Sequence, residues 1–429
     1  MRSNYKKLGS YIQQVKKRNA DNFLTVENLR GININKEFMP SVANVTGTDL
    51  SKYKVVEKNQ FAYNPMHVGR DGVLPISMLE LQQKVIVSPA YVIFEVVDKQ
   101  ILLPEYLMMW FRRSEFDRNA WFTTDSSVRG GFNWDDFCEL ELPIPSIEKQ
   151  REIVAEYYAI TNRIKLNEQL NQKLEETAQT IYKEWFVDFE FPHNFSHSEL
   201  DSESDIRPYK SGGGEMVYCE DLEKEIPEGW GVVTLKDLCT LQNGYAFKAS
   251  DFSDNGSIPI IKIKNITPPI IDLNDSQCFS NSINEKLTKY TVKYDDILIS
   301  MTGSGVNQLN SAVGQVGRYV AKNMSLLNQR VGKLIINNKK HKLYAYFFLS
   351  HKDTQMNLLY SATGSANQAN ISPEQIINLD ILRSKDDVLL NFENVCRKII
   401  NLNDIKRIEN KKLLDLTEIL LSKMATVEG

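Results

Sequence analysis

The sequence VSPAYVIFEV at Val87–Val96, followed by PEYLMMWF at Pro104–Phe111, has a counterpart in the second half of the chain. The counterparts are LNQRVGKLII at Leu327–Ile336 and KLYAYFFL at Lys342–Leu349, about 238 residues further on. Identity within each pair is low, but the order and the spacing are kept. A period of this length is too long for a solenoid repeat and indicates a duplicated domain with its connector.

Two further pairs of segments keep nearly the same offset. YKVVEKNQFAY at Tyr53–Tyr63 matches YTVKYDDILIS at Tyr290–Ser300, where a polar turn is followed by a strand pattern. FNWDDFCELEL, from Phe132, and ISPEQIINLDI, from Ile371, each precede a long polar helix pattern. Chance similarity between generic strands would not keep four segments at one offset, so we predict two related domains.

Both helix patterns carry mostly apolar residues at every seventh position, which is the spacing of a coiled-coil seam. In the first helix the seam and its flanking row are Ile153, Ile160, Asn167, Leu174 and Ile181 beside Tyr157, Ile164, Asn171, Ala178 and Trp185. In the second they are Phe392, Ile399, Lys406, Leu413 and Leu420 beside Cys396, Asn403, Asn410, Thr417 and Met424. A seam Asn weakens packing but fixes register, so we predict that the helices pack on each other. Two separate surface helices are the alternative that the pattern alone leaves open.

The pattern therefore predicts an α+β chain: two related α/β domains separated by two long antiparallel helices that form a coiled coil, a pseudo-two-fold internal repeat. The boundaries that we predict are 1–145 for the first domain, 146–190 for the first long helix, 191–229 for an acidic linker, 230–383 for the second domain and 384–429 for the second long helix. The linker is placed there because residues 192–228 lack periodicity and are rich in Ser, Gly and acid.

Composition places the chain among soluble globular proteins, with 42% apolar and 25% charged residues. No apolar run approaches the roughly 18 residues of a membrane span, and the N-terminus is polar and basic, so we expect a cytoplasmic protein with no membrane partner. The five cysteines contain no CxxC pair and the five histidines no HExxH arrangement. Neither a disulfide framework nor a metal site is indicated.

The net charge of −4 is unevenly distributed. Residues 191–229 hold 3 basic against 10 acidic side chains, whereas residues 230–385 hold 17 basic against 11 acidic side chains. The positive excess of the second domain suits a polyanion, although a modest excess is a solvated surface about as often as a nucleic-acid site.

No catalytic motif is found in the sequence. There is no GxxxxGK[ST] phosphate loop and no GxGxxG after a strand, and the glycine-rich segment Met301–Tyr319 lacks the Lys-Ser/Thr pair of a nucleotide site. Asn64-Pro65-Met66-His67 only faintly resembles the Asn-Pro-Pro-aromatic signature of adenine methyltransferases, and we interpret it as a turn. We predict no catalytic residue and no cofactor or metal in this chain.

The loops do contain residue types that read DNA base edges: Asn and Gln for adenine, Arg for guanine, and Lys for phosphates. In the first domain these candidates are His67, Arg70, Ser126, Ser127 and Arg129. In the second domain they are Lys248, Lys262, Lys264, Ser304, Gln308, Asn310, Arg318, Asn367 and Gln368. Any one of them is more often a solvated loop residue than a base contact, so the prediction concerns the set.

Over nearly its whole length the chain resembles the specificity subunits of type I restriction-modification systems. The resemblance is carried by VEKNQFAYNPM, VSPAYVIF and ELPIPSIEKQREI in the first half, and by IPEGWGVVTLKDL, GYAFKASDF, IPIIKIKNI and DDILIS in the second. Its most specific part is the Pro-x-Pro-x-x-Glu-x-Gln run at Pro143–Gln150, which resembles the family's domain-to-helix junction. The second-half counterpart, LRSKDDVLL from Leu382, departs from that pattern and leaves the second boundary uncertain by several residues.

Such a resemblance implies a non-catalytic subunit with two target recognition domains, each reading half of an interrupted site in double-stranded DNA. It also implies partners: two modification (methyltransferase) subunits, which bind S-adenosylmethionine and methylate adenine, and restriction subunits, which use ATP and Mg²⁺ for translocation and cleavage. The long helices would act as spacer and docking platform.

Two other functions remain open at the level of sequence. A self-contained DNA methyltransferase or nuclease with a fused recognition domain would require a cofactor or metal motif. A coiled-coil scaffold with no role on DNA would not bind random duplex at low salt.

Three expectations follow for the molecule. The chain alone neither binds S-adenosylmethionine nor methylates or cuts DNA. Arg70→Ala and Arg318→Ala each weaken specific binding by about 1 to 3 kcal/mol, because both arginines would contact bases. Half-sites of about 3 to 5 base pairs, centred about one DNA turn apart, leave an unread gap of about 5 to 8 base pairs.

Overall fold

The computed structural model of the chain describes residues 5–41, 47–66, 72–123, 132–195, 205–254, 256–304, 313–365 and 368–426. The first unit of the fold comprises Met1–Asn167 and Ile408–Gly429, and the second comprises Glu168–Arg407. Each unit therefore contains one part of each of the chain's two long helices. Over these described ranges, no helix combines the length and the apolar character that crossing a membrane would require.

Nine α-helices lie in the described residues. They are α1 Pro104–Phe111, α2 Ser114–Thr123, α3 Trp134–Glu139, α4 Ile147–Phe186, α5 Glu285–Thr288, α6 Lys342–Ser350, α7 Lys352–Ser361, α8 Pro373–Ile377 and α9 Asp386–Lys423. Two of them, α4 with 40 residues and α9 with 38 residues, are the long helices expected from the seven-residue spacing.

Short strands around an aromatic core build the first unit. The strands are β1 Tyr5–Lys7, β2 Ile12–Gln14, β3 Arg30–Ile32, β4 Phe38–Pro40, β5 Lys54–Val56, β6 Phe61–Tyr63, β7 Ile76–Met78, β8 Val85–Val87, β9 Val92–Val96 and β10 Glu141–Pro143. Four of them form an antiparallel sheet in the order β2-β9-β6-β7, while β1 pairs with β10, β3 with β4 and β5 with β8. Phe61, Phe94, Phe111 and Phe137 are fully buried beside this sheet, so aromatic packing supplies much of the core.

The second unit has more strands and larger sheets. Its strands up to the middle of the unit are β11 Pro192–Asn194, β12 Ile206–Pro208, β13 Met216–Cys219, β14 Lys224–Pro227, β15 Gly231–Thr234, β16 Cys239–Asn243, β17 Phe252–Ser253, β18 Ile258–Ile261, β19 Ile266–Thr267, β20 Ile270–Ile271 and β21 Cys278–Phe279. The others are β22 Thr291–Val292, β23 Ile297–Ser300, β24 Thr302–Gly303, β25 Val316–Arg318, β26 Ser325–Leu327, β27 Val331–Ile336, β28 Thr363–Ser365, β29 Gln368–Asn370 and β30 Asp380–Arg383. They form sheets in the orders β16-β27-β23-β25-β20-β19, β17-β21-β18-β26-β22 and β24-β29-β28, with three further pairs.

The duplication predicted from the sequence is confirmed by the topology. The order β2-β9-β6-β7 corresponds to β16-β27-β23-β25, the pair β1–β10 to β15–β30, and the pair β5–β8 to β22–β26. Helices α1 to α4 recur as α6 to α9 in the same order. The predicted α+β fold with two related domains is thus the observed fold.

The short helices α3 and α8 begin where the sequence supplies a cap. Asn133 Oδ1 accepts a hydrogen bond from Asp136 N at 2.9 Å at the start of α3. At the start of α8, Ser372 Oγ accepts from Gln375 N at 3.2 Å and Gln375 Oε1 accepts from Ser372 N at 2.8 Å. Both arrangements satisfy backbone donors that a helix start leaves unpaired, which is why FNWDD and ISPEQ form helices at matching places.

Within each unit the two long helices pack antiparallel. In the first unit Asn167 Nδ2 reaches Asn410 Oδ1 at 2.8 Å, and Ile153 shares a core cluster with Met424. In the second unit Asn403 Nδ2 donates to the carbonyl of Asn171 at 3.0 Å. The seam asparagines are therefore buried and bonded across the helix pair, which is the arrangement that fixes register.

The stretch predicted to be an acidic linker, residues 191–229, has structure in its described parts, and the prediction is corrected there. Two hairpins, β11–β12 and β13–β14, lie in it. Phe191 and Tyr209 stack at 4.7 Å between ring centroids, and both are buried with Trp230 in the core of the second unit. Widely spaced aromatic side chains anchor this acidic stretch even though its average composition is that of a disordered segment.

Candidate nucleic-acid interface

Apart from the lysines and Arg318, the predicted DNA-contact residues fall in two loop segments of each domain: a first reading segment, residues 66–73 or 302–313, and a second reading segment, residues 124–131 or 362–370. In the second unit, the three-stranded sheet β24-β29-β28 brings the two reading segments together. Thr302 pairs with Asn370 and Gly303 with Ala369, and Thr302 Oγ1 donates to Asn370 Oδ1 at 2.9 Å. Ser304 directly follows β24, and the exposed Gln368 begins β29. Segments more than 60 residues apart in sequence thus meet at one edge of the domain.

A main-chain hydrogen bond joins the two reading segments at their bases in each unit. In the second unit Ile371 N donates to Met301 O at 3.0 Å. In the first unit Phe132 N donates to Pro65 O, also at 3.0 Å. The segments that hold His67 and Arg70 on one side and Ser126, Ser127 and Arg129 on the other therefore leave the described fold from the same place.

A helix side chain also fastens the far end of the first reading segment in each unit. Asp117, the fourth residue of α2, accepts from Leu74 N at 3.1 Å. Gln355, the fourth residue of α7, donates to Gly314 O at 2.6 Å. The two residues lie 238 positions apart and hold equivalent points of the loop. Asp117 does so as a hydrogen-bond acceptor, whereas Gln355 does so as a donor. We call these two contacts, the main-chain hydrogen bond at the base of the loops and the helix side chain at the far end, the frame of each domain. The duplicated fold thus keeps the frame in both units, although the side chains that form it have changed.

In the first unit the frame includes a buried ion pair. Lys36, only 4% exposed, donates to the Asp117 carboxylate at 2.8 Å and to the carbonyl of Phe111. Burial lowers the pKa of Lys36 and raises the pKa of Asp117, and the attraction between the two charges opposes both shifts. The pair ties the β3–β4 hairpin to α2 and to the end of the loop that contains Arg70.

Lysines lie over aromatic rings elsewhere in the second unit, where Lys286 and Lys289 are exposed and Lys262 is half-buried. The Nζ of Lys262 lies 3.9 Å from the ring centre of Phe252 and donates to Gln277 Oε1 at 2.6 Å. Lys286 lies over Tyr245 and Lys289 over Tyr290, at 5.3 and 5.0 Å. This surface joins basic and apolar contacts, which suits a phosphate backbone.

The remaining predicted DNA-contact residues are placed as follows. Lys248 and Lys264 are exposed, near β17 and β19 respectively. Eight predicted residues lie outside the described ranges: His67, Arg70, Ser126, Ser127, Arg129, Gln308, Asn310 and Asn367.

Arg318 does not occupy the position that we predicted for it. It is 1% exposed, and its Nη2 and Nη1 donate to Asp404 Oδ1 and Oδ2 at 2.6 and 3.2 Å. Although burial alone would lower the pKa of Arg318, the hydrogen bonds that it donates to this carboxylate raise it, so the guanidinium stays charged. A buried guanidinium paired to α9 is not available to a base edge, so the predicted base contact is wrong. Arg318 instead links strand β25 to the long helix α9.

The predicted helix-seam residues lie on the packed side of their helices. Ile153, Asn167, Asn171, Asn403 and Asn410 are buried. The half-buried ones are Ile160, Leu174, Ile181, Ile399, Leu413 and Leu420. At the Pro-x-Pro junction, buried Gln150 accepts from Leu103 N at 2.9 Å and donates to Ile101 O and Pro145 O at 2.8 and 2.9 Å, which explains the need for Gln in that motif.

Sequence reasoning missed the frame residues Asp117 and Gln355 and the lysines Lys286 and Lys289. Each frame residue forms its contact across more than 40 positions, so no local pattern reveals it. The lysines had a sequence signal, the KLTKY stretch at Lys286–Tyr290, where two lysines and a tyrosine fall within five residues.

Comparison with known proteins agrees with this architecture. Residues 227–412 match the sequence model of the family described as "Type I restriction modification DNA specificity domain". The type I restriction enzyme HindI specificity subunit of Haemophilus influenzae is 22% identical over 437 residues, which cover 92% of each chain. The MjaIX specificity subunit of Methanocaldococcus jannaschii is 24% identical over 77% of this chain and 70% of its own length.

Among solved structures, the S subunit of a type I restriction-modification system from M. genitalium has a similar fold. The TM-score is 0.56 at 14% identity, and the match covers 99% of this chain and 96% of that one.

Proposed function

Since the chain belongs to the specificity subunits of type I restriction-modification systems, we propose that it selects DNA for a modification and restriction complex by reading an interrupted sequence. Each of its two domains reads one half of the site. The observation that supports two readers is the duplicated frame, in which two loop segments are joined at their bases and fastened to a helix in each unit. A rigid frame with variable loops is how folds present recognition residues.

The residue types in and around the loops support two kinds of DNA contact within each half-site. Amide, hydroxyl and guanidinium groups of the reading segments contact base edges, whereas the lysines over aromatic rings contact phosphates and set the register. Methylation of adenine and cleavage are carried out by the partner subunits, which bind S-adenosylmethionine, ATP and Mg²⁺. The complex acts on cytoplasmic DNA.

Selection from a random duplex library by the full-length chain tests this function. We expect enrichment of two short motifs separated by a fixed unread gap, with affinity that falls steeply as salt rises. Enrichment of one uninterrupted motif, or of none, would contradict the proposal.

The frame residue Gln355 provides a prediction for one half-site. Gln355→Met removes donors to Gly314 O and Leu349 O, and we expect it to lower the free energy of unfolding by about 1 to 2 kcal/mol. Because the lost contact holds only the loop of the second unit, base preference should relax in one half-site and stay unchanged in the other. Denaturant titration and library selection measure the two effects.

Tyr209→Phe is the matched control, since the Tyr209 hydroxyl also donates to a main-chain carbonyl in the second unit, that of Glu215 at 2.9 Å, but touches no reading segment. It should leave both half-sites intact. If both half-sites changed in Gln355→Met, the frame would not act on a single reader.

A further inference from the structure

An exposed aromatic side chain occupies the same position in both copies of the duplicated fold. Phe122 is the ninth residue of α2 and is 76% exposed, and Tyr360 is the ninth residue of α7 and is 75% exposed. The two residues are 238 positions apart, which is the offset of the helices themselves. Single exposed apolar residues are common and need no explanation, but recurrence in two diverged copies does.

The two helices have otherwise lost their similarity. SEFDRNAWFT and KDTQMNLLYS share only the asparagines Asn119 and Asn357. The neighbour of the ring has also changed its environment, since Trp121 is 49% exposed and its counterpart Leu359 only 7%. Exposure of a ring at the ninth position has thus been kept while the surrounding residues changed.

The position of these rings places them beside the reading segments. Their helices carry the frame residues Asp117 and Gln355, and both helices run directly into the second reading segment. Tyr360 lies three residues before β28, the hairpin strand that pairs with the strand of Gln368. Phe122 lies four residues before Ser126 in sequence.

Charge around the rings fits a polyanionic partner. The acidic residues of both helices, Glu115 and Asp117 in α2 and Asp353 in α7, are in the first turn. The last turn, which carries the ring, contains only uncharged residues in both helices. Within both helices, the carboxylates therefore lie at the opposite end from the ring.

We propose that Phe122 and Tyr360 are a matched pair of DNA contacts, one for each half-site, in which the ring packs on the apolar parts of a nucleotide: the deoxyribose and, where present, the thymine methyl group. This inference rests on the proposed function and adds to it an apolar component of recognition. A ring without charge adds affinity and local base preference, but it releases no counterions.

Phe122→Ser and Tyr360→Ser test the proposal in the full-length chain, with a 30-base-pair duplex that the unchanged protein has selected from a random library as the probe. We expect each variant to bind about tenfold more weakly, in line with the loss of one ring contact to a nucleotide. The slope of affinity against salt should stay unchanged, because no phosphate contact is removed. Repeated library selection should show relaxed preference in one half-site for Phe122→Ser and in the other for Tyr360→Ser.

Two sets of controls separate a DNA contact from other roles. Phe122→Tyr and Tyr360→Phe keep the ring and should bind like the unchanged protein. Phe23→Ser and Tyr218→Ser remove exposed rings, 83% and 66% exposed, that have no aromatic counterpart in the other copy, and they should bind within twofold of it. Melting temperatures should hardly change in any variant, since all four side chains face water.

Binding of the two serine variants within twofold of the unchanged protein would overturn the inference while leaving the proposed function in place. A loss shared by the controls, a lowered melting temperature or a changed salt slope would also overturn it. So would normal DNA binding with impaired assembly with methyltransferase subunits, which would assign the rings to a protein contact. If the unchanged chain selects no motif, the proposed function fails first, and the inference falls with it.

Discussion

Replacing Asp404 by alanine is expected to lower the free energy of unfolding by about 3 to 5 kcal/mol, because it leaves a buried guanidinium without its main counter-charge. Asp404 is 1% exposed and accepts both terminal nitrogens of Arg318, and it also accepts from the Tyr294 hydroxyl at 2.8 Å. After the change, Arg318 would retain the contact of its Nη1 with Asp295 at 3.3 Å and its position 6.0 Å from the ring centre of Tyr346. Urea titration of the full-length chain measures the loss.

The same pair can be removed as a whole. Arg318→Met combined with Asp404→Leu replaces both charges by apolar groups, so no buried charge is left unpaired and most of the stability should return. Asp295 keeps Lys342 and Arg397 as partners, both at 2.8 Å. Asp415→Ala, an exposed change on the same helix, should stay within about 0.5 kcal/mol of the unchanged chain. A loss in Asp404→Ala no greater than that control would show that the pair does not stabilise the second unit.

The base contact predicted for Arg318 was wrong because its partner is distant in sequence. An arginine at the end of a strand, shortly after a polar loop, has the residue type of a base reader. Its partner Asp404 lies 86 positions away, and no local pattern connects them. The seam does contain a hint, since a carboxylate next to buried Asn403 must find a positive partner, but the helix does not specify which one.

Other parts of the fold follow from the sequence because they depend on local periodicity. The two long helices come from seven-residue spacing, and the duplication comes from segments that keep nearly one offset from Tyr53 to Trp185. The hairpins between β11 and β14 were missed for the opposite reason. A few aromatic residues, such as Phe191 and Trp230, hold them to the core of the second unit, and composition averaged over the acidic stretch hides those residues.

The second large effect concerns the long helices. Inserting four residues after Asn167 in α4 and four after Arg407 in α9 is expected to lengthen the preferred gap between half-sites by one or two base pairs, with both half-sites unchanged. Both helices must be changed, because they are joined through Asn167 with Asn410 and through Asn171 with Asn403. A single insertion would move one of these buried asparagines away from its partner.

The size of the shift follows from helix geometry. Four residues add about 6 Å of rise and rotate the helix by about 40° beyond a full turn. One base pair adds about 3.4 Å and, at 10 to 10.5 base pairs in a turn, about 35°. The rotation matches one added base pair and the rise nearly two, so the altered protein can still present each domain to a groove.

Seven residues in each helix are the matched control, because they keep the seam spacing but not the DNA geometry. Seven residues add about 10 Å, which is the rise of three base pairs. They leave the protein helix about 20° short of two full turns, whereas three base pairs rotate the duplex by about 100°, so the rotations do not match. That variant should fold and bind every gap at least tenfold more weakly than the four-residue variant binds its best gap. Selection from libraries with gaps of 4 to 12 base pairs distinguishes the outcomes. An unchanged gap in the four-residue variant would mean that the helices do not set the distance between half-sites. Altered half-site bases would mean that the two domains are not independent readers.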